Sequence, residues 1–298
     1  MAVQATTVEV DGRRVRLTNL DKVLYPTAEF TKAQVIGYYA AIAATMVPHL
    51  NGRPLTFTRW PNGTDGDSFF EKNRPSHAPD WLDSMEGPGG VYSSTIDHPA
   101  GLVWAGNQAA LEVHAPLALG ADLDTPMTVA FDLDPGAPAD IVDCADVALW
   151  LREVLDSIGL AGFPKTSGSK GMQVYVPLNT PATYDQSSGF ALAVGQLLAK
   201  QHPDRVLVEM NKDQRKGKVF VDWSQNSRAK TTISVYSLRA RPRPTISTPL
   251  GWDEVERLAA DRDATAFAFE PDDVIARVGA NGDLFADVLI LEQRLPHT

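Results

Sequence analysis

The sequence predicts a mixed architecture of helices and sheets, α/β or α+β. Two observations carry this reading. From Met127 onward, apolar strand-like runs alternate with helix-like runs, and the preceding stretch adds short alternating strands around one long helical run. A chain of 298 residues, 44% of them hydrophobic, also has enough apolar material for a sizeable core.

The elements follow in order. Thr7–Val10 and Arg13–Leu17 flank Asp11-Gly12, the turn pair that favours a hairpin. After Tyr25-Pro26, Thr31 and Gln34 form a capping box, and Val35, Ile36, Tyr39, Ile42, Ala43 and Met46 recur at helical spacing, which predicts a helix over Lys32–Val47. Arg53–Trp60 alternates as a strand, and the next thirty or so residues, rich in Gly, Pro, Asp and Asn, read as long surface loops. Strands are predicted at Met127–Leu133, Met172–Leu178 and Lys218–Trp223, and helices at Ala139–Ile158 and Tyr184–His202. Arg239–Pro249, with Pro242, Pro244 and Pro249, fits neither an internal strand nor a helix and reads as a connector to a helical region, Trp252–Leu295. No internal repeat or low-complexity tract interrupts the pattern. One compact unit is expected, with an N-terminal subregion (about 1–120), a central region (about 121–245) and C-terminal helices (about 246–298).

Charge and cysteine content narrow the function classes. Lys and Arg number 27 against 37 acids, a net charge of −10, which argues against a protein that coats nucleic acid non-specifically. Between Arg205 and Arg243, however, ten basic residues face three acids, so one surface is expected to be basic. A smaller basic excess comprises Arg13, Arg14, Arg16, Lys22 and Lys32. A single cysteine, Cys144, rules out internal disulfides and multi-thiolate zinc or iron–sulfur sites and fits a reducing cytoplasm. No apolar run reaches the ~20 residues of a membrane span, and the N-terminus lacks the pattern of an export signal.

Three strings carry chemistry. In Phe131-Asp132-Leu133-Asp134-Pro135-Gly136, residues i and i+2 of a strand share a face, so Asp132 and Asp134 set two carboxylates side by side. Such a pair needs a cation or a shifted pKa, and all-oxygen ligands suit Mg²⁺ or Mn²⁺. Asp222, ending the strand before Trp223-Ser224-Gln225-Asn226, is placed to complete a triad able to hold two metal ions; the alternative is a turn-initiating Asp. Thr166-Ser167-Gly168-Ser169-Lys170-Gly171 reads as a phosphate loop without Walker spacing, or as an ordinary Gly/Ser turn. His114 ends an apolar segment, where a lone histidine is more often structural. Phe69-Phe70, beside Lys72 and Arg74, fits base stacking with phosphate attraction, or a hydrophobic plug.

Taken in order, these strings resemble the polymerase domain of bacterial ATP-dependent ligase D, within the archaeo-eukaryotic primase superfamily. The resemblance spans nearly the whole chain through Leu17–Pro26, Arg59–Gly63, Phe69–Lys72, Leu111–His114, Phe131–Pro135, Thr166–Gly171 and Val221–Asn226. It implies an α+β primase-like catalytic core of mixed sheets flanked by helices, in a stand-alone form without ligase or phosphoesterase modules. The roles it implies are two Mn²⁺ or Mg²⁺ ions on Asp132, Asp134 and Asp222, and a nucleotide held by His114, Ser167, Lys170 and Arg239, with Arg215 and Gln225 at matching positions. Asn19, Lys22 and Lys32 match a pocket for the 5′-phosphate across a DNA gap, and Phe69 and Phe70 match rings that stack on the template. The expected activity is gap filling or end repair by a polymerase that prefers ribonucleotides, in the cytoplasm, on gapped or broken DNA. Its expected partners are nucleoside triphosphates, a Ku-type end-binding protein and a separate ligase.

Two departures stand out. The family pattern Lys-Gly-x-His reads here Lys170-Gly171-Met172-Gln173, and a frequent Lys before Arg59 is Thr58. Gln173, at a nucleotide-binding position by the resemblance, still hydrogen-bonds but carries no charge, so weaker triphosphate binding, or binding supplied by neighbours, is expected. The competing functional readings are a catalytically weak module that binds and bridges DNA ends, and a glycosyltransferase using Asp132 and Asp134 for a sugar-nucleotide metal. The latter explains neither Phe69-Phe70 nor the basic 205–243 segment.

Overall fold

The computed structural model describes residues 5–296. They fall into two compact units, each assembled from separate stretches of chain: residues up to 116 with 231–246 and 270–282, and residues 117–230 with 247–269 and the segment from 283 onward. The architecture is α+β.

In the first unit the expected hairpin forms, Ala5–Val10 against Arg13–Thr18. The helix Lys32–Leu50 starts at the predicted box, with Gln34 N–H donating to Thr31 Oγ1 and Thr31 N–H donating to Gln34 Oε1. It runs past Val47 through Pro48, because a proline in the last turn forfeits one bond while Asn51 N–H still closes on the Val47 carbonyl. A second helix, Pro99–Asn107, has no counterpart in the sequence pattern. All of its residues from Ala100 onward are buried, so no amphipathic stripe marks it, and its glycines admit close neighbours: a Cβ on Gly106 would stand 3.1 Å from Tyr39. A four-stranded sheet orders Thr232–Ile233, Ala110–Ala115, Thr56–Arg59 and Phe69–Glu71. Part of the stretch that reads as loop therefore pairs as strand: Phe69–Glu71 joins this sheet, and Ser84–Glu86 pairs with Tyr92–Ser94.

The second unit is built on a five-stranded sheet in the order Phe163–Thr166, Met172–Pro177, Thr128–Pro135, Val219–Asp222, Val206–Leu207, antiparallel except for the last pair. Its face is decided by alternation. Val129, Phe131 and Leu133, with Met172, Val174, Val176, Val219 and Val221, pack into one core with the helices Ile141–Ser157 and Tyr184–Gln201. The intervening residues are thereby turned to the opposite face. The C-terminal helices do not stay together: Trp252–Asp261 packs on Ile141–Ser157 in the second unit, whereas Pro271–Asn281 packs on Lys32–Leu50 in the first. Among the described residues no helix is long and apolar enough to cross a membrane.

Candidate active site

The polar face of the five-stranded sheet carries a cross-strand row. Lys165 lies opposite Gln173, Gln173 opposite Asp132, and Asp132 opposite Asp222. Directly paired residues share a face, so the row places Asp222 beside Asp132, and Asp134 follows two residues along the same strand. Asp132 accepts a 3.2 Å hydrogen bond from Gln173 Nε2. Burial, helped by the charges of Asp222 and Asp134 and opposed by the Gln173 hydrogen bond and by Lys165, raises its carboxyl to about 6.

Asp134 sits 3.0 Å from Lys170 Nζ and 3.5 Å from Arg215 Nη1. Arg215 lies over Phe220, with Cζ 3.7 Å from the ring centroid. Asp222 combines the two roles its position in the sequence suggests: Oδ1 caps the turn Trp223–Gln225 by accepting from Ser224 N–H (3.0 Å) and Oγ (2.5 Å), while Oδ2 faces Gln225 Nε2 at 3.5 Å. Asn226 fastens that turn back to the central strand, exchanging hydrogen bonds with both backbone groups of Ala130.

Oxygen donors of this kind and register fit a hard divalent cation, and a buried carboxylate with two like-charged neighbours gains from one. Among the described residues, though, no three His, Cys, Asp or Glu side chains are placed to hold a metal ion. Asp134 is engaged by Lys170 and Arg215 and Asp222 by Ser224, contacts that offset the like-charge repulsion among the carboxylates.

The loop 166–171 closes on itself. Ser167 Oγ accepts from the N–H groups of Ser169 and Gly171, Gly168 has a positive φ of 66°, and Lys170 extends to Asp134 and to the Pro135 carbonyl. Two glycines fix how closely these loops approach. A Cβ on Gly171 would meet the Leu133 carbonyl oxygen at 2.2 Å, and one on Gly136 would meet the Arg215 carbonyl oxygen at 1.9 Å. Gly136→Ala is expected to cost about 1–3 kcal/mol, a fall of several degrees in Tm by calorimetry. An unchanged Tm would show that the backbone yields freely there.

Lys165 joins the row without any local sequence signal. Fully buried, it donates to Ser247 Oγ at 2.6 Å and lies 5.5 Å from the Tyr175 ring centroid. Nothing in Phe163-Pro164-Lys165-Thr166 distinguishes it from a surface lysine.

The remaining predicted residues lie in the first unit. His114, on the strand Ala110–Ala115, donates from Nε2 to Glu112 at 3.0 Å, and Glu112 also accepts from Arg239 Nε at 2.9 Å. His114 and Arg239 are therefore brought together by a carboxylate to which sequence reasoning assigns no role. A signal exists, since Glu112 and His114 are i and i+2 on a strand.

Asn19, with φ 53°, and Lys22 line a cavity of about 590 Å³ together with Thr6, Leu20 and Asp21. Lys22 donates to Asn62, and Lys32, a buried residue, to the Thr18 carbonyl. Burial, together with the charges of Lys22 and Arg59, lowers the Lys32 ammonium to about 8. Arg59 ties this cluster to the aromatic pair: it is held by Glu71 at 2.6 Å and by the Gln108 carbonyl, and stacks 5.2 Å from the centroid of Phe69. Phe69 and Phe70 are 45% and 66% exposed, with Lys72 exposed beside them, so the rings do not act as a plug.

Comparison with known proteins gives a consistent result. A family model described as LigD, primase-polymerase domain, matches residues 31–285. The chain is 45% identical over 280 residues to the multifunctional non-homologous end joining protein LigD of Mycolicibacterium smegmatis, covering 92% of this chain and 36% of that protein. It is 32% identical to the bifunctional non-homologous end joining protein LigD of Bacillus subtilis, covering 92% of this chain and 44% of the relative. The polymerase domain of Mycobacterium tuberculosis ligase D, solved in complex with DNA, superposes with a TM-score of 0.85 at 40% identity, covering 94% of this chain and 99% of that one. This chain thus spans less than half the length of these curated relatives.

Proposed function

Because the chain belongs to the LigD primase–polymerase domain family, a family of nucleotidyltransferases, we propose that it is a template-directed DNA-repair polymerase acting in non-homologous end joining. It adds nucleotides, ribonucleotides by preference, to a primer 3′-hydroxyl at short gaps or broken ends. The observation that carries this reading is the pairing of Asp132 with Asp222 across neighbouring strands, with Asp134 on the same face. Two Mn²⁺ or Mg²⁺ ions held by these three carboxylates would activate the 3′-hydroxyl and neutralise the departing pyrophosphate.

The chain's own groups do the rest. Lys170 exchanges Asp134 for the triphosphate, Ser167 shapes the loop that presents it, and Arg215 adds a second cation. Gln173 keeps Asp132 oriented without adding charge, and Gln225 does the same for Asp222. In the first unit, His114 and Arg239 are the proposed nucleotide-binding groups. Asn19, Lys22 and Lys32 take a downstream 5′-phosphate, and Phe69, Phe70 and Lys72 receive the template. A Ku-type protein and a separate ligase are the proposed partners, in the cytoplasm.

Lys170→Ala is expected to raise the nucleotide KM roughly tenfold or more, since one charge-assisted phosphate contact contributes about 1.5–3 kcal/mol. An unchanged KM in steady-state extension would reduce the loop to a turn. Substrate choice is tested by extending a primer on a gapped duplex with ribo- and deoxyribonucleotides in parallel. Faster ribonucleotide addition is expected, and equal or slower addition refutes the preference.

A further inference from the structure

We infer that Glu112 is a positioning residue of the nucleotide site, a single buried carboxylate that sets both the ring orientation of His114 and the guanidinium of Arg239. The inference rests on the assignment of those two residues to the nucleotide.

Three donors converge on this carboxylate. Glu112 Oε2 accepts from His114 Nε2 at 3.0 Å, and Oε1 accepts from Arg239 Nε at 2.9 Å and from the Ala240 N–H at 3.2 Å. All three side chains are largely removed from solvent, at 12%, 17% and 16% exposure for Glu112, His114 and Arg239. Both ends of the arrangement are anchored. Strand pairing holds His114 between Thr56 and Ile233, while the backbone of Arg239 is held by Tyr25 Oη on its carbonyl and by its own N–H on the Thr245 carbonyl.

With Nε2–H committed to a carboxylate, His114 has Nδ1 as the nitrogen that faces other partners. On the other side, anchoring Arg239 through Nε fixes the plane of its guanidinium and so the direction of its terminal fork. One carboxylate therefore fixes the orientation of two side chains of the proposed nucleotide site. No neutral side chain reproduces this, because a glutamine amide at the same place must turn an N–H toward one of the two donors. The acidity of the carboxyl is matched to this role. Burial by itself would raise it, but the His114 hydrogen bond and the Arg239 charge prevail and hold it at about 2.

The test has two arms. In the unsubstituted protein, ¹⁵N NMR of the histidine rings is expected to show His114 protonated on Nε2 throughout neutral and mildly alkaline pH. A neutral Nδ1–H tautomer with bare Nε2 would overturn the inference without any variant having to fold. In the second arm, Glu112→Gln is expected to raise the nucleotide KM about tenfold, with the rate at saturating nucleotide within about twofold and the Kd for gapped DNA unchanged. The same substitution placed on His114→Ala/Arg239→Met should add less than twofold, since nothing remains for Glu112 to position. A KM unaffected by Glu112→Gln, or a tenfold rise persisting in the double-variant background, refutes the role. If the unsubstituted protein extends no primer, the polymerase reading fails on its own. The same comparisons then run on the Kd for a fluorescent nucleoside triphosphate with Mn²⁺, where equal affinity of Glu112→Gln and the unsubstituted protein refutes the positioning role.

Discussion

Asp132→Ala, and separately Asp222→Ala, is expected to reduce primer extension by roughly a thousandfold or more while leaving the Kd for gapped DNA within about twofold. The two residues are paired across adjacent strands, so their side chains lie on the same face of the sheet. Removing either would break the proposed cation site, and electrostatic stabilisation of this kind contributes several kcal/mol in phosphoryl transfer. DNA affinity is a separate matter, because carboxylates repel the phosphate backbone. The expectation is checked by single-turnover extension beside a fluorescence-anisotropy titration. Extension at wild-type rates in either variant would remove the assignment of the aspartates.

The second large effect is expected at the phosphate pocket. A chain with a net charge of −10 should bind plain duplex weakly, so discrimination for a gap with a downstream 5′-phosphate over one with a 5′-hydroxyl should be roughly tenfold or more at low salt, shrinking as salt rises. Lys22→Ala with Lys32→Ala should erase that preference and leave extension on an open primer–template largely intact. The pH dependence has a defined sign. Burial and the nearby cations lower Lys32 to about 8, so the charged form that attracts phosphate is present at pH 7 and lost as pH rises through that value. Phosphate discrimination should therefore fall between about pH 7 and pH 9.5, with the midpoint above 8 because the bound phosphate favours the ammonium. Equal binding of the two gap ends at low salt and pH 7 would return both lysines to a solvated basic face.

Particular residues show why parts of this molecule are legible in the sequence and parts are not. Asp132 and Asp134 are readable because a period of two fixes their common face, and the apolar partners Val129, Phe131 and Leu133 fix which face that is. The capping box of Thr31 and Gln34 places a helix start to the residue. The helix Pro99–Asn107 escapes because burial all round erases the periodic signal. The row joining Lys165, Gln173, Asp132 and Asp222 is a product of strand order, since its members come from four neighbouring strands whose order in the sheet differs from their order along the chain. No local pattern encodes that order. Glu112 lies within the motif Leu111–His114, yet its role emerges only when Arg239 arrives from far along the chain.

The most direct test of the account is extension of a labelled primer on a duplex with a one-nucleotide gap and a downstream 5′-phosphate, in Mn²⁺, in Mg²⁺ and in excess chelator. The account predicts addition of the nucleotide complementary to the template in the presence of a divalent ion and none in chelator. Tight binding of the gapped duplex with no extension in either metal would contradict it, leaving a protein that holds DNA ends without joining nucleotides to them.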